Sequence, residues 1–331
     1  MTANLIDKAR AGDSDAFRAL TEPHRRELEV HCYRMLGSLH DAEDMVQNTM
    51  LAAWRALDGF EERASVRTWL YRIATNQCLG VLRSGRRKRE AVEIGIAENG
   101  LPEPTHYGDI VWLEPIPDHL LDVADVSALG PEAAYEQQEA ISLAFVTALQ
   151  MLPARQRAVL ILRDVLGYRT AEVSEMLGAT VASVNSALKR ARETVGRSGR
   201  DAEPPEPNSS AEQALVADFV HAYQTGDVEA LVSLLTADVR VSMPPIPLEY
   251  HGLDAVAGFY AKVLRERTYT LVATRANGQP AFGAYLRTGV DPTRHAAGLL
   301  VLDLAGERIC GLTRFDNDVM PRFGLPRTLH D

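Results

Sequence analysis

Five cations fall within seven residues at Arg83, Arg86, Arg87, Lys88 and Arg89, more than a helix end needs to complement its dipole. They close a helical pattern that begins near Ser65, along one flank of which Arg72, Asn76, Leu79 and Arg83 recur. Cations at that spacing neutralise phosphates, and an amide among them can hydrogen-bond a base edge, above all that of a base pulled out of its stack. A second set follows Gly178, where Ser183, Asn185, Ser186, Lys189 and Arg190 lie away from an apolar side made of Val181, Val184, Leu188, Ala191 and Val195. Thr180 can cap that helix, and the short amphipathic segment from Thr170 precedes the glycine, which is helix-turn-helix spacing. Short polar side chains near its start suit major-groove base edges, and the later cations suit phosphates.

The elements that must carry these residues are helical. From Leu5 to about Arg87, and again from Glu136 to Val195, the apolar residues follow a helical period. On residues 41–57 the period buries Ala42, Val46, Thr49, Met50, Ala53 and Leu57. The opposite face carries Asp44, Gln47, Asn48, Leu51 and Arg55. A leucine among polar groups on a solvent side is either an ordinary exposed residue or part of a surface that docks a partner helix.

Between the helical stretches, residues 91–139 hold 11 Asp and Glu and no Lys or Arg, with Pro102, Pro104, Pro115 and Pro117 among them. That composition predicts an extended acidic connector. The net charge is −10, yet residues 1–90 carry +2 and residues 140–200 carry +5. Two mildly basic modules within an acidic chain are expected to bind duplex DNA poorly by themselves. After a second linker at 199–210, helices are expected over 211–224, 227–235 and 253–266 and strands around 268–276, 281–288, 296–304 and 308–316. The tail at Phe323 and Leu325 either seats on a neighbouring module or packs back on its own sheet.

The 331 residues, 46% hydrophobic and 24% charged, make ordinary globular protein of about two domains. Cys32, Cys78 and Cys310 are an odd number at no ligand spacing, which argues against a disulfide framework and a metal site. No cofactor is expected. Without a long apolar run or a secretory pattern at the N-terminus, no membrane association is expected, and the protein reads as cytoplasmic.

Several stretches resemble the extracytoplasmic-function sigma factors of bacterial RNA polymerase. They are Asp41-Ala-Glu-Asp-Met-Val-Gln, Thr68-Trp-Leu-Tyr-Arg-Ile-Ala-Thr-Asn, the Arg83–Arg89 run, Leu152-Pro-Ala-Arg-Gln-Arg, and Val184-Asn-Ser-Ala-Leu-Lys-Arg-Ala-Arg after Gly178. The resemblance implies that Asp44, Gln47, Asn48 and Leu51 dock core RNA polymerase, whose beta and beta-prime subunits would be the partners. It implies that Arg72, Asn76, Arg83, Arg86, Arg87 and Lys88 engage the −10 promoter element, with Asn76 capturing an unstacked base. Ser183, Asn185, Ser186, Lys189 and Arg190 would read the −35 element. Gly80, Asn185 and Ala187 depart from residues common in the family, so promoter sequence does not carry over. Trp112-Leu113-Glu114-Pro115-Ile-Pro-Asp118 resembles a linker motif of the subgroup that ends in a SnoaL-like domain. It is a regulatory linker on that reading and a solvated one otherwise.

Through Phe219-Val-His-Ala-Tyr, Gly226-Asp-Val-Glu-Ala-Leu, Ala237-Asp-Val-Arg-Val-Ser-Met-Pro-Pro, Tyr250-His-Gly and Phe323-Gly-Leu-Pro, residues 211–331 resemble that SnoaL-like (NTF2-like) α+β cone. Acid or base candidates there are His221, His251, Asp254 and Asp316, with no spacing that marks a couple, so no catalytic residue is assigned. A small-molecule ligand for this domain stays open. The expected fold is therefore multidomain: an all-α module at 1–90, an acidic linker at 91–135, an all-α helix-turn-helix module at 136–198, a linker at 199–210 and an α+β cone at 211–331. The expected function is a non-enzymatic promoter-specificity factor controlled in cis by its third domain. A stand-alone DNA-binding regulator, and a SnoaL-type enzyme or small-molecule sensor on a DNA-binding scaffold, are the competing readings.

Overall fold

The computed structural model describes residues 2–84, 102–108, 113–121, 140–196, 202–265, 267–287 and 293–330, which form two compact units. One is helical. It contains α1 (Thr2–Arg10), α2 (Ser14–Thr21), α3 (Arg25–Leu36), α4 (Leu39–Ala56) and α5 (Val66–Ser84), then most of α6 (Leu143–Gln150), α7 (Ala154–Leu160), α8 (Thr170–Leu177) and α9 (Val181–Val195).

Local chemistry sets the helix ends. Asp13 accepts the backbone N–H groups of Asp15 and Ala16 to start α2. Gly37, at φ 71°, ends α3, and the Ser38 hydroxyl accepts the Asp41 N–H to start α4. This corner folds α4 back on α3. Leu28, Cys32, Met35 and Leu36 of α3 are then buried with Ala42, Val46 and Ala53 of α4 and Leu70, Ala74 and Cys78 of α5.

The later helices pack against this bundle through buried polar staples. Arg157 of α7 is 5% exposed, and its guanidinium donates to the Met35 carbonyl at 2.5 Å and to the carbonyls of Gln150 and Leu152. Arg34 donates to the Ala140 carbonyl at 3.1 Å, and the Gln150 amide donates to the Arg34 carbonyl. A buried guanidinium is tolerable only with such bonding, and desolvation lowers the Arg34 pKa to about 10.

The second unit is a sheet with helices on one face. Among the described residues the strands are β1 (His106–Tyr107), β2 (Leu235–Met243), β3 (Ile246–His251), β4 (Thr268–Ala276), β5 (Gln279–Arg287), β6 (Arg294–Ala305), β7 (Arg308–Phe315) and β8 (Thr328–Leu329). Their order is β1-β3-β2-β7-β6-β5-β4, with β8 beside β6. Helices α10 (Ser210–Thr225), α11 (Val228–Ser233) and α12 (Leu253–Val263) share its core, where Phe219, Tyr223 and Tyr260 meet Phe282, Leu300 and Leu302. β2 and β3 were not among the strands expected from sequence. Asp238 and Arg240 break the apolar reading of β2 on its exposed side, and Pro244, Pro245 and Pro247 crowd the entry to β3.

The tail packs on its own sheet. Leu325 lies over Gly283, where an added Cβ would stand 2.8 Å from its Cδ1, and the Tyr285 hydroxyl donates to the Pro326 carbonyl.

The described part of the connector, residues 102–108 and 113–121, belongs to the sheet unit. β1 pairs with β3, the Tyr250 hydroxyl donates to the Pro102 carbonyl, and Leu113 and Ile116 are buried. The tie is Asn277, fully buried in the β4–β5 turn. Asn277 and Gly278 both have positive φ, 56° and 73°, the pair that a tight hairpin favours. The Asn277 side-chain oxygen accepts the Ile116 N–H at 2.9 Å, its backbone N–H donates to the Ile116 carbonyl, and its side-chain N–H donates to the Ile141 carbonyl at 2.8 Å. Asp118 adds two bonds, accepting the Gly278 N–H at 2.7 Å and pairing with Arg275 at 3.1 Å. Asn277→Ala removes two buried side-chain bonds and places a Cβ residue less tolerant of positive φ in the turn. Denaturant unfolding of the sheet unit should show a loss of about 2–4 kcal/mol, whereas an unchanged midpoint would show that the tie carries no stability.

Candidate nucleic-acid interface

Helix α4 presents one polar face. Asp44, Gln47, Asn48, Leu51 and Arg55 are all exposed, Leu51 by 55%, while Val46 is buried. Trp54, which the helical period does not single out, is on the same exposed side at 38% and takes the Phe17 ring edge-on at 4.9 Å between centroids. Two large apolar groups one helical turn apart among acids and amides form a surface suited to a partner helix.

Helix α5 places Arg72, Asn76 and Arg83 on its exposed side. Leu79 is 6% exposed and belongs to the core, a departure from the flank it was given by the helical wheel. Arg83 turns back to the Leu79 carbonyl at 3.2 Å. Arg86, Arg87 and Lys88 lie outside the described residues.

The Asn76 side chain is already engaged. Its amide nitrogen donates to the Arg72 carbonyl at 2.9 Å and to the Met176 carbonyl, on α8, at 3.3 Å. Nearby, Tyr71 of α5 meets Tyr168 edge to face at 5.9 Å. Arg67 stacks 4.9 Å from the Tyr71 ring centroid and binds Glu27 at 2.7 Å, while His24 bonds the other oxygen of Glu27. Burial would raise the pKa of Glu27, but the hydrogen bonds from His24 and Arg67 outweigh it and the carboxyl ends below its usual range. Behind this cluster His31 is fully buried on Thr75, and desolvation first, with Arg34 second, lowers its pKa to about 3, which keeps the ring neutral.

The α8–α9 pair turns at Gly178, φ 56°, and Thr180 accepts the Ser183 N–H to cap α9. Val184, Ala187, Leu188 and Ala191 are buried, and Ser183, Asn185, Ser186, Lys189 and Arg190 are exposed. Val181 is 47% exposed, whereas the helical period had placed it in the core. Two cations of this helix have intramolecular partners: Arg192 makes a two-bond pair with Asp164 at 2.7 and 2.8 Å, and Lys189 lies 4.0 Å from Glu193. Both are exposed pairs, which contribute little and open readily to a phosphate.

In the connector, Leu113 and Pro115 are buried, Glu114 is half-buried and Asp118 is bonded as above. Trp112 lies outside the described residues.

The sheet unit does not assemble an acid/base couple from the sequence candidates. His221 and Asp254 are exposed on helices, Asp316 caps the turn after β7 by accepting the Asn317 N–H, and His251 is paired with Glu249 at 2.6 Å and stacked on His106. Among the described residues no group of three or more His, Cys, Asp and Glu has metal-binding geometry, and no helix is long and apolar enough to cross a membrane.

Residues 20–88 match sigma-70 region 2, residues 142–195 match sigma-70 region 4, and residues 216–312 match the SnoaL-like domain. Over 97% of its length the chain is 43% identical to the ECF RNA polymerase sigma factor SigG of Mycobacterium tuberculosis strain ATCC 25618 / H37Rv, covering 86% of that protein. It is 31% identical to SigJ of the same strain, over 88% of each chain. The crystal structure of M. tuberculosis SigJ superposes with a TM-score of 0.61 at 23% identity, covering 95% of this chain and all of that one, so the two share a fold.

The α4 face yields a direct check. Leu51→Glu should leave helical content and thermal stability within the range of neutral surface changes, about ±0.5 kcal/mol, while Val46→Glu on the buried side should unfold the helical unit. Circular dichroism melts separate the two, and a large fall for Leu51→Glu would make that residue core.

Proposed function

Because the chain belongs to the extracytoplasmic-function sigma factors of RNA polymerase, we propose that the exposed residues above divide into three tasks. Asp44, Gln47, Asn48 and Leu51 dock core polymerase through its beta and beta-prime subunits, and Trp54 extends that surface. Arg72, Asn76, Arg83, Arg86, Arg87 and Lys88 engage the −10 element. Ser183, Asn185, Ser186, Lys189 and Arg190 engage the −35 element in the major groove. The protein directs promoter-specific initiation in the cytoplasm and has no catalysis of its own. The engagement of His251 with Glu249 and of Asp316 with the Asn317 N–H, and a sheet core filled by Phe219, Tyr223, Tyr260 and Phe282, support that last statement.

A single observation carries the regulatory part of the reading: the Asn76 amide sits 3.3 Å from the Met176 carbonyl. Elements centred about 25 base pairs apart are separated by ~85 Å of duplex at 3.4 Å per pair. Helices in hydrogen-bond contact cannot reach both. The helical unit is therefore in a closed state, which opens when polymerase and promoter are bound.

The fused domain controls that opening through the connector. Asn277 holds Ile116 and Ile141 together, so the residues between them add nothing to the span that the two modules can cover. Trp112, Leu113, Glu114, Pro115 and Asp118 form the regulatory linker on this reading. The same tie makes a separate inhibitory protein less necessary.

Run-off transcription with purified core polymerase tests the proposal. A chain truncated at about residue 200 and the full-length Asp118→Ala variant should both give more transcript than the unaltered protein, the truncation more strongly. Equal output from all three would remove the regulatory role, and no promoter-dependent transcript from any would remove the sigma reading.

A further inference from the structure

The first turn of α9 presents an apolar side chain to solvent at the place where a helix-turn-helix meets base edges. Val181 is 47% exposed, although Val184 and Leu188 behind it are buried. Thr180 caps the turn by accepting the Ser183 N–H, so the backbone there is held and the side chains are presented on a fixed frame. One helical turn on, Asn185 is exposed and makes no side-chain hydrogen bond among the described residues. Residues four apart on a helix have Cβ atoms about 5–6 Å apart, a spacing that spans one or two base-pair steps.

The chemistry of this end is neutral. Val181, Ala182, Ser183, Asn185 and Ser186 carry no charge, and the charged residues Lys189, Arg190, Arg192 and Glu193 all lie further along the helix. In the major groove only thymine offers a methyl group, and an asparagine amide matches the N6 and N7 of adenine with two hydrogen bonds. A valine there finds no favourable contact with the hydrogen-bonding edges of guanine or cytosine.

We propose that Val181 reads the C5-methyl of a thymine in the −35 duplex, within two base pairs of an adenine held by Asn185. The proposal rests on the assignment of α9 to the −35 element. It makes part of the promoter preference a matter of methyl contact and two amide bonds, with Arg190 and Lys189 anchoring phosphates.

The test uses holoenzyme assembled from the full chain and core polymerase. A −35 sequence is first selected from duplexes randomised in that element, with core polymerase alone as the control. Each thymine of the selected element is then replaced in turn by deoxyuridine, which removes only the methyl group, and promoter binding is measured. One position should lose about fourfold in affinity, the equivalent of one buried methyl or methylene group. Val181→Ala, with an unchanged melting temperature, should bind the thymine duplex about as weakly as the deoxyuridine one and no longer distinguish them. Asn185→Ala should lose its preference at a neighbouring A·T pair. Equal binding of every deoxyuridine duplex by the unaltered protein, or equal weakening of both duplexes by Val181→Ala with the discrimination intact, would overturn the methyl contact. Selection no better than core polymerase alone would overturn the −35 assignment and the proposal with it.

Discussion

The Asn76 side-chain nitrogen lies within hydrogen-bond distance of two carbonyls, those of Arg72 at 2.9 Å and Met176 at 3.3 Å, and an amide has a hydrogen for each. The side chain proposed to hold an extruded base is thus turned onto the helix-turn-helix. The rest of the helical unit is consistent with that closure. Arg157 binds the end of α3 through the Met35 carbonyl, and Gln150 and Arg34 add a second connection. Tyr71 and Tyr168 pack edge to face beside them. Breaking a buried guanidinium from its carbonyls is costly unless another partner replaces it. On the proposed reading, opening needs the binding free energy of polymerase and DNA, and a ligand shifts such an equilibrium only by its differential affinity for the two states.

The control proposed for the sheet unit rests on a different set of bonds. Its turn at Asn277–Gly278 binds Ile116, within the acidic connector, and Ile141, just beyond it, and Asp118 and Arg275 reinforce the hold. Arg275 also pairs with Glu212 of α10, which is 5% exposed by its side chain, so the clasp is tied to the first helix of the domain core. The hold is made of backbone, amide and carboxylate hydrogen bonds.

Much of this was legible in the residues. The outward Leu51, the capped α9 and the turn at Gly178 follow from helical period and side-chain chemistry, which are local. The misassignments have physical causes. Val181 follows the apolar period of α9, but the first residue of a helix can overhang the element it packs on. Leu79 was placed by its angle on the wheel, whereas the neighbouring helices set how wide the buried stripe of α5 is. β2 and β3 were hidden by exposed charges and by prolines. Asn277 and Gly278 are a recognisable hairpin pair, yet nothing local announces that the same asparagine bonds Ile116 and Ile141. Trp54 was missed because its exposure depends on how Phe17 approaches it. Interactions distant in sequence are the ones that sequence pattern leaves open.

Closure and opening of the helical unit can be measured by energy transfer between dyes on Arg63→Cys and Thr194→Cys, both exposed positions, in a chain whose Cys310 is replaced by serine. The free protein should show high transfer, and the complex with core polymerase and promoter DNA should show transfer near zero, as expected for modules set ~85 Å apart. The same efficiency in both states would contradict the account, because region 2 and region 4 would then reach their promoter elements without separating.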